Sequence, residues 1–516
     1  MRKFITILLL FLACNGLFAQ TDTIFQYSYG GIQNDVCNQI RATPDGGFIM
    51  IGTTNSFGHG ATDFYAIKVD ANFKHQWSAA LGGPASDEGY SVTPTLDKGY
   101  AFLGFTNSYG NGGYDMFLIK TDSMGKVQWD KTYGGSDWDF GYSIKQTLDS
   151  GYVICGQTYS YGAGNGDMYV VRTDKNGDTL WTKAIGGAGY DVANSVYVEH
   201  DSIYYIVGST TSFGLSDTNI YLVKINNNGL VEWDTTFGGV SHTAVGHSIE
   251  EQMNGGMIIS GYSDLVSTEA HVNPFFIMLD SNAHVQTWDT NVNFTNTGVN
   301  YAYDAMQCPD YLYIVAGTGD ESAWGGNDML TMLLYYVPGD PHNGATNQGP
   351  YEGGTGDDGA KSCAISTTNR SAVFAGFSNS PNLTVGLYDV FVCRYRDCNN
   401  IQPDNSLYHV YTQYRDSLPI TVGISEQQSQ QVMVKVFPNP VTTDATILVQ
   451  TQMADKYWFS LYDINGKSII DSKEFSSTSY GQAVLHFSKG DLRAGTYMYK
   501  VTDKNNNSVN GKIIIE

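Results

Sequence analysis

A Gly-Gly pair begins at Gly30, Gly82, Gly134, Gly186 and Gly238, always 52 residues apart. Trp77, Trp129, Trp181 and Trp233 keep the same period, as do Asp35, Asp87, Asp139 and Asp191, and Gly52, Gly104, Gly156 and Gly208. A chain with a fixed period of this length builds one supersecondary unit per period. Such units cannot bury both faces alone, so they must stack. Gly261, Gly317 and Gly376 continue the last series at looser spacing, and Gly353-Gly354 restarts the pattern. Seven units therefore run between about residues 25 and 397.

Within a unit the pattern reads as four strands. In the third, Tyr142 to Thr147 is a short strand closed by Asp149-Ser150-Gly151, and Tyr152 to Thr158 is an apolar strand. Asp167 to Thr173 alternates and turns at Asp174-Lys175-Asn176-Gly177, and Thr179 to Ile185 is the last strand. Asx and Gly residues at the turns supply the backbone conformations that tight hairpins need. Four strands in about 50 residues is a propeller blade. The segment IFQYSYGG (Ile24 to Gly31) aligns with QWDKTYGG (Gln128 to Gly135), so the chain starts with a last strand and no blade before it. The seventh unit ends near Asp397 after its third strand. The N-terminal strand is expected to complete it and remove an open edge; Leu407 to Tyr414 is the alternative.

The order W-x-x-x-[YFLI]-G-G, D-x-x-x-[SQ]-[IV], D-x-G-[YF], G-x-T-x-S-[YF]-G, D-[MF]-[YF] resembles the bacterial seven-bladed β-propeller repeat family over about residues 25–397. Unit four departs from it, with Asp217-Thr218-Asn219 in place of the last motif. The resemblance implies an extracellular scaffold and no particular reaction. The expected fold class is all-β: a seven-bladed β-propeller plus a small C-terminal Ig-like β-sandwich.

The ends carry addresses. Arg2 and Lys3 precede an apolar run from Phe4 to Ala13, and Leu17-Phe18-Ala19 stands before Gln20. This is a signal-peptide pattern with cleavage between Ala19 and Gln20. Phe11-Leu12-Ala13-Cys14 loosely resembles a lipobox, which would instead acylate Cys14. No later stretch is long and apolar enough to span a bilayer as a helix. Residues 398–432 turn polar and read as a linker. Beyond them come VFPNPV (Val436 to Val441), WFSLYDINGK (Trp458 to Lys467), LRAGTYMYKV (Leu492 to Val501) and GKIIIE (Gly511 to Glu516). With a hairpin turn at Asn465-Gly466, these motifs suggest about seven antiparallel strands. They resemble the type A C-terminal sorting domain of the Bacteroidota type IX secretion system. The resemblance implies passage across the outer membrane with that machinery as partner, removal of the domain, and attachment to surface lipopolysaccharide. The expected division is 1–19 signal peptide, 20–397 propeller, 398–432 linker and 433–516 sorting domain.

Charged residues make up only 15% of the chain and the net charge is −23. That balance argues against nucleic-acid backbones and anionic membrane surfaces, both of which need clustered Lys and Arg. Six cysteines follow the leader, with no CxxC spacing, so zinc is not expected. Cys393 with Cys398 and Cys37 with Cys363 are the disulfide candidates. Cys155 and Cys308 lie inside strand patterns and read as buried thiols.

No H-E-x-x-H, Walker A or G-x-S-x-G motif is present, and no cofactor or metal is expected. Asp174, Asn176 and Asp178 have the spacing of a calcium loop but lack the distal Glu and do not recur, which favours a turn. The repeated Asp35, Asp87, Asp139 and Asp191 can ring a channel mouth and hold a cation, or each can cap its own turn; the second is preferred. Phe57, Tyr109, Tyr161 and Phe213 recur in every early unit, which favours packing over sugar stacking. Ligand-binding candidates come from the loops of units five and six, where the consensus is lost: Asp264, Glu269 and His271, and Asp320, Glu321 and Trp324. Drift in unconstrained loops is the simpler reading of that divergence. By resemblance to modified exported proteins, Asp-Ser/Thr sites at Thr23, Ser123, Thr179, Ser202, Thr235 and Ser417 are O-glycosylation candidates. Three functions stay open: a surface binding or adhesion module, a structural surface protein, and a glycan-active hydrolase or lyase.

Overall fold

The computed structural model describes residues 23–515 except 201, 216, 241, 265–271, 290–298, 309–311, 321–325, 336–343, 353–354, 382–383, 385–386, 396–407, 416–419, 422–432, 438–440, 451–455, 464–466, 479–481, 491 and 504–507. All of its regular elements are strands, and no described helix is long and apolar enough to cross a membrane. The chain divides into two compact units, residues 1–424 and 425–516.

The first contains seven small sheets among the described residues, each built on four antiparallel strands. The third repeat is typical, with strands Asp139–Gln146, Tyr152–Thr158, Asp167–Thr173 and Thr179–Ile185 in sequential order. The last three match the spans read from the turn residues. The first begins three residues earlier than Tyr142, because Asp139 already pairs with Thr158 and a bulge falls between Gly141 and Ser143. All seven first strands carry a bulge at the equivalent place, from Cys37/Gln39 in the first repeat to Ala360/Ser362 in the seventh.

Consecutive sheets are glued by separate apolar clusters, and the clusters form a cycle. Ile51, Phe64 and Leu81 of repeat one pack with Phe102 and Phe117 of repeat two, and so on around to Ile314 and Met329 of repeat six with Phe374 and Phe391 of repeat seven. Repeat seven returns to repeat one through Tyr29, Val373 and Val390 against Ile40, Phe48 and Ile67. The arrangement is propeller-like. Each fully buried large apolar side chain contributes roughly 1.5–3 kcal/mol, so the cycle is held by these seams.

Closure uses the N-terminal strand. Thr23–Gly30 pairs antiparallel with Asp389–Tyr395 as the fourth strand of the seventh sheet. The alternative segment is also used: Tyr408–Arg415 adds as a fifth strand, parallel to Thr23–Gly30, and Ile420–Thr421 pairs with the first sheet at Ala79 and Ala80. The polar stretch 398–432 is therefore not a plain linker. Part of it covers sheet edges that would otherwise expose unpaired backbone groups.

The proposed Cys37–Cys363 disulfide is not formed. Cys37 and Cys363 are buried free thiols in different apolar clusters, and Cys398 lies outside the described residues. Burial pushes the Cys37 thiol up to about 12, the behaviour of a packing residue.

Residues 425–516 hold seven strands in the order Met433–Phe437, Asp444–Gln450, Gln482–Ser488, Ser468–Thr478, Lys456–Tyr462, Gly495–Asp503, Ser508–Ile515. All the pairs between them are antiparallel. The long strand Ser468–Thr478 pairs with Lys456–Tyr462 along most of its length and with Gln482–Ser488 only at Ser477 and Thr478. Both ends of this sheet face one core that includes Ile447, Phe459, Phe487 and Ile513.

Candidate functional site

The repeated residues have structural jobs. The Oδ2 of Asp139 accepts from Gly135 N and from Ser160 Oγ, both at 2.8 Å. Asp35, Asp87 and Asp191 do the same with Gly31 and Ser56, Gly83 and Ser108, and Gly187 and Ser212. The hydroxyl of Thr54 donates to Asp35 Oδ1 while accepting from Ser56 N at 3.0 Å and Phe57 N at 3.1 Å. Each aspartate thus caps its own Gly-Gly turn. The aromatic that follows packs on the third strand of its own repeat, as with Tyr161 and Tyr169 at 5.6 Å, and Tyr161 Oη donates to Gly134 O at 2.8 Å. The tryptophans latch neighbouring repeats: Trp77 Nε1 donates to Ser123 O at 3.1 Å and Trp181 Nε1 to Asn227 O at 2.9 Å. Asp174 is a turn residue, accepting from Asn176 N at 2.8 Å and Asp178 N at 2.9 Å. Asp70, Asp122 and Asp280 make the same pair of bonds.

Side chains on the first strands meet across the centre. Arg41 of repeat one reaches Glu250 of repeat five at 2.7 Å and Asp304 of repeat six at 3.2 Å, and Lys145 of repeat three reaches the same Glu250 at 3.1 Å. Burial opposes the Glu250 charge, but Lys145 and Arg41 more than offset this and hold its carboxyl below the usual range. This ionic cluster fills the axis toward the tight-turn end. A cavity of about 240 Å³ beside it is lined by Glu250, Glu251, Met306 and Gln307 with apolar neighbours.

The other end is aromatic. The bulge of each first strand turns one extra residue onto the axial side: Asn38, Tyr90, Tyr142, Asn194, His247, Tyr303 and Lys361. Asn38 and Asn194 are used up, each donating to a neighbouring backbone carbonyl at 2.8 Å. The rest build two arcs. In the first, Tyr90 meets Tyr142 edge-on at 5.3 Å, Phe140 stacks on Tyr142 at 6.3 Å, and Trp138 meets Phe140 at 6.2 Å and Tyr159 at 6.4 Å. Trp138 is 51% exposed and Tyr159 38%. The seat of the indole is cut by Gly113, since a Cβ there would collide with the Trp138 ring. Glu88 lies beside Tyr90, and burial raises its carboxyl above the usual range.

In the second arc, His247 meets Tyr303 at 5.1 Å and Tyr262 at 5.4 Å, and Lys361 Nζ stands 3.8 Å from the Tyr303 ring centroid. Burial lowers the Lys361 ammonium to about 8. Burial and then the neighbouring Lys361 charge hold His247 down to about 4, so it is neutral at physiological pH.

None of these mouth residues is among the candidates read from the sequence. Of those, Asp264 accepts from Thr243 N at 2.6 Å and faces His242 Nδ1 at 3.4 Å, serving its own loop. Asp320 ends the strand Leu312–Asp320. Glu269, His271, Glu321 and Trp324 lie outside the described residues, as do Ala19, Gln20 and Ser417. Ser123, Thr179 and Ser202 are exposed, Thr235 is half-buried, and Thr23 opens the closing strand. The mouth had a sequence signal all the same: Trp138 replaces Asn34 and Ser86 at equivalent positions, and Tyr159 replaces Asn55 and Asn107.

Among curated proteins, an endo-acting ulvan lyase of Formosa agariphila is 35% identical over 83 residues, covering 16% of this chain and 15% of that protein. Solved structures with similar chains include Sqt1 from Chaetomium thermophilum, with TM-score 0.38, 10% identity, and coverage of 69% of this chain and 82% of that one. The Pan2 WD40 domain of Neurospora crassa gives TM-score 0.37, 12% identity, and coverage of 72% and 91%. An endo-arabinase from Bacteroides thetaiotaomicron gives TM-score 0.27, 12% identity, and coverage of 51% and 94%. At these scores the likenesses carry no functional weight, and the architecture rests on the sheets themselves. Residues 435–516 match the secretion system C-terminal sorting domain, which marks the chain for export by type IX secretion to the cell surface or the extracellular space.

Proposed function

We propose that the chain is a seven-bladed β-propeller closed by its own N-terminal strand, with an Ig-like sandwich as its sorting tail, and that it is a surface binding module. Its ligand is a neutral glycan held at the aromatic mouth. The carrying observation is the first arc: Trp138, Phe140, Tyr142 and Tyr159 gather at positions where repeat one carries Asn34, Val36, Asn38 and Asn55. The fold does not need them there. Exposed rings present flat apolar faces that match a sugar ring, and Glu88 beside them can accept from its hydroxyls. The net charge of −23 disfavours polyanionic glycans.

The test is a glycan array probed with the mature protein and with Trp138→Ala/Tyr159→Ala. Both side chains are exposed, so folding should survive. Binding should fall at least tenfold in the variant. Equal binding by both proteins would overturn the assignment, and would return attention to Asp264, Glu269, His271, Asp320, Glu321 and Trp324 in units five and six.

A second reading, a glycan hydrolase or lyase, is favoured by the second arc. Lys361, whose ammonium is lowered to about 8, is the group in this arc able to exchange a proton near neutral pH; His247, held down to about 4, is a weak base, and burial pushes the Tyr303 phenol well above its ordinary value. Polysaccharide breakdown that is lost in Lys361→Met while array binding persists would establish it. The partner during export is the type IX machinery through residues 433–516, with lipopolysaccharide attachment after tail removal. Deleting 433–516 should leave the rest folded and abolish surface display. O-glycosylation is proposed at Ser123, Thr179 and Ser202, with Thr23, Thr235 and Ser417 as further sites. An intact mass without added hexose would reject it.

A further inference from the structure

Besides the capping aspartates, a second buried series stands at the start of the third strands: Asp63, Asp115, Asp167 and Asp389 at the first residue and Asp328 at the second. Each falls at the junction with the next repeat, opposite that repeat's capping aspartate. The pairs are Asp63 with Asp87, Asp115 with Asp139, Asp167 with Asp191, Asp328 with Asp358, and Asp389 with Asp35. Neighbouring backbone bridges fix the adjacency, as between Thr62 and Ser86 or Asn34 and Tyr388. The two remaining junctions carry Asn219 with Ala244 and Asn273 with Asn300. So all seven junctions have either both acids or neither, although the two acids belong to different repeats. A capping role alone would let each acid be lost independently.

The paired carboxylates converge on one glycine. A Cβ at Gly30 would lie 2.7 Å from Asp389 Oδ1 and 2.9 Å from Asp35 Oδ2. At Gly134 it would lie 2.6 Å from Asp139 Oδ2 and closer still to Asp115 Oδ1; at Gly186, 2.5 Å from Asp191 Oδ2 and closer to Asp167 Oδ1. Among the described residues no Lys or Arg is ion-paired with Asp35, Asp63, Asp87, Asp115, Asp139, Asp167 or Asp191. Asp167 is 1% exposed, and the Oδ1 it aims across Gly186 toward Asp191 has no hydrogen-bond partner. Two like charges buried together without a counter-charge are strongly unfavourable. Something positive between them would explain both the orphan oxygen and the joint loss.

We propose that the junction aspartate pairs bind calcium-class divalent cations, one per pair, tying each sheet to the next. Among the described residues no three acids or histidines cluster, so each pair would supply two carboxylates, with carbonyl oxygens and water filling the shell. Calcium accepts such irregular oxygen sets, whereas magnesium demands a near-octahedral one.

The experiment compares the melting temperature of the full mature chain at pH 7.5 in EDTA, in millimolar calcium chloride, and in sodium chloride of equal ionic strength. Terbium luminescence titrations of the parent and of Asp115→Asn/Asp139→Asn accompany it. Asn219 and Asn300 show that amides are tolerated at these two positions. The expected result is a calcium-specific rise of several degrees, and one terbium fewer in the variant. No calcium-specific shift in the parent, or an unchanged terbium count in the variant, would overturn the proposal. Stabilisation by acid with none by calcium would show that the pairs hold a proton instead. The glycan assays do not enter these readouts, so the two readings fail separately.

Discussion

Gly134→Ala is expected to be costly because the added methyl meets two carboxylates at once. The methyl would sit 2.6 Å from Asp139 Oδ2 and nearer to Asp115 Oδ1, and neither carboxylate is free to swing away. Asp139 Oδ2 is held by Gly135 N and Ser160 Oγ, and Asp115 Oδ2 by Asn111 N at 2.8 Å. Overpacking a tight site costs roughly 1–3 kcal/mol, and each charge-assisted hydrogen bond given up adds about 1.5–3 kcal/mol. One bond lost brings the total to about 4 kcal/mol. At roughly 2 °C per kcal/mol for a domain this large, the melting temperature should drop by about 8 °C. Gly238→Ala is the matched control. The same methyl there also meets the amide of Asn219, its Oδ1 nearer than the 3.1 Å to its Cγ, but no acid stands opposite because Ala244 replaces it. Its cost should be the overpacking alone, about 2 kcal/mol. Neither glycine needs a left-handed backbone, so conformational strain does not confuse the comparison. Scanning calorimetry of both variants decides the matter. Equal drops would refute the view that the carboxylates are what exclude a side chain.

Deleting residues 20–29 should open the seventh sheet, because buried Ile24 and Tyr27 belong to the two clusters flanking it; a melting curve unchanged from the parent would contradict closure by this strand. Ser150→Gly should stabilise by about 1 kcal/mol, measured by urea denaturation, because Ser150 sits at φ 69° where repeat one has Gly46 at φ 83°. Glu250→Gln leaves Lys145 without its acidic partner and should cost about 3 kcal/mol at pH 7. Because the folded Glu250 titrates below its unfolded value, its contribution is full above about pH 4.5 and is lost as pH falls through the folded value. The variant should therefore show a flatter acid limb in melting temperature against pH, and an unchanged limb would assign acid sensitivity elsewhere.

The strand spans were legible wherever turn chemistry marks both ends, as at Tyr152–Thr158 and Thr179–Ile185. The first strands were read short because the bulge at Gly141/Ser143 breaks the alternation that signals a strand. That same bulge hid the site: without it, Tyr142 and Lys361 are just residues near a strand start, and with it they face the axis beside Phe140 and Tyr303. Turn glycines were partly misread too. Asp149-Ser150-Gly151 suggested that Gly151 supplies the left-handed residue, yet Ser150 adopts it, and Gly151 is needed because a Cβ would strike Thr173 O and the Arg172 guanidinium. A buried basic residue at this place recurs as Lys68, Lys120 and Arg172, each ion-paired to a turn aspartate, a period-52 series that charge counting alone passes over.

In a repeat protein, conserved positions report the fold, and departures from them report either function or drift. Loop divergence in units five and six cannot separate these two, because loops tolerate change in either case. Substitution at a rigid position can. Trp138 immediately precedes the capping Asp139, Phe140 is held by backbone pairing with Gln157 whatever its identity, and Tyr142 is the bulge residue two places on. An aromatic left 51% exposed, as Trp138 is, or 38% exposed, as Tyr159 is, returns only part of its burial energy to the fold. Gly113, which clears the indole's seat, belongs to the repeat before, so two separate repeats were altered to place one exposed ring. Drift has no reason to coordinate those changes, and a surface that recognises a ligand does.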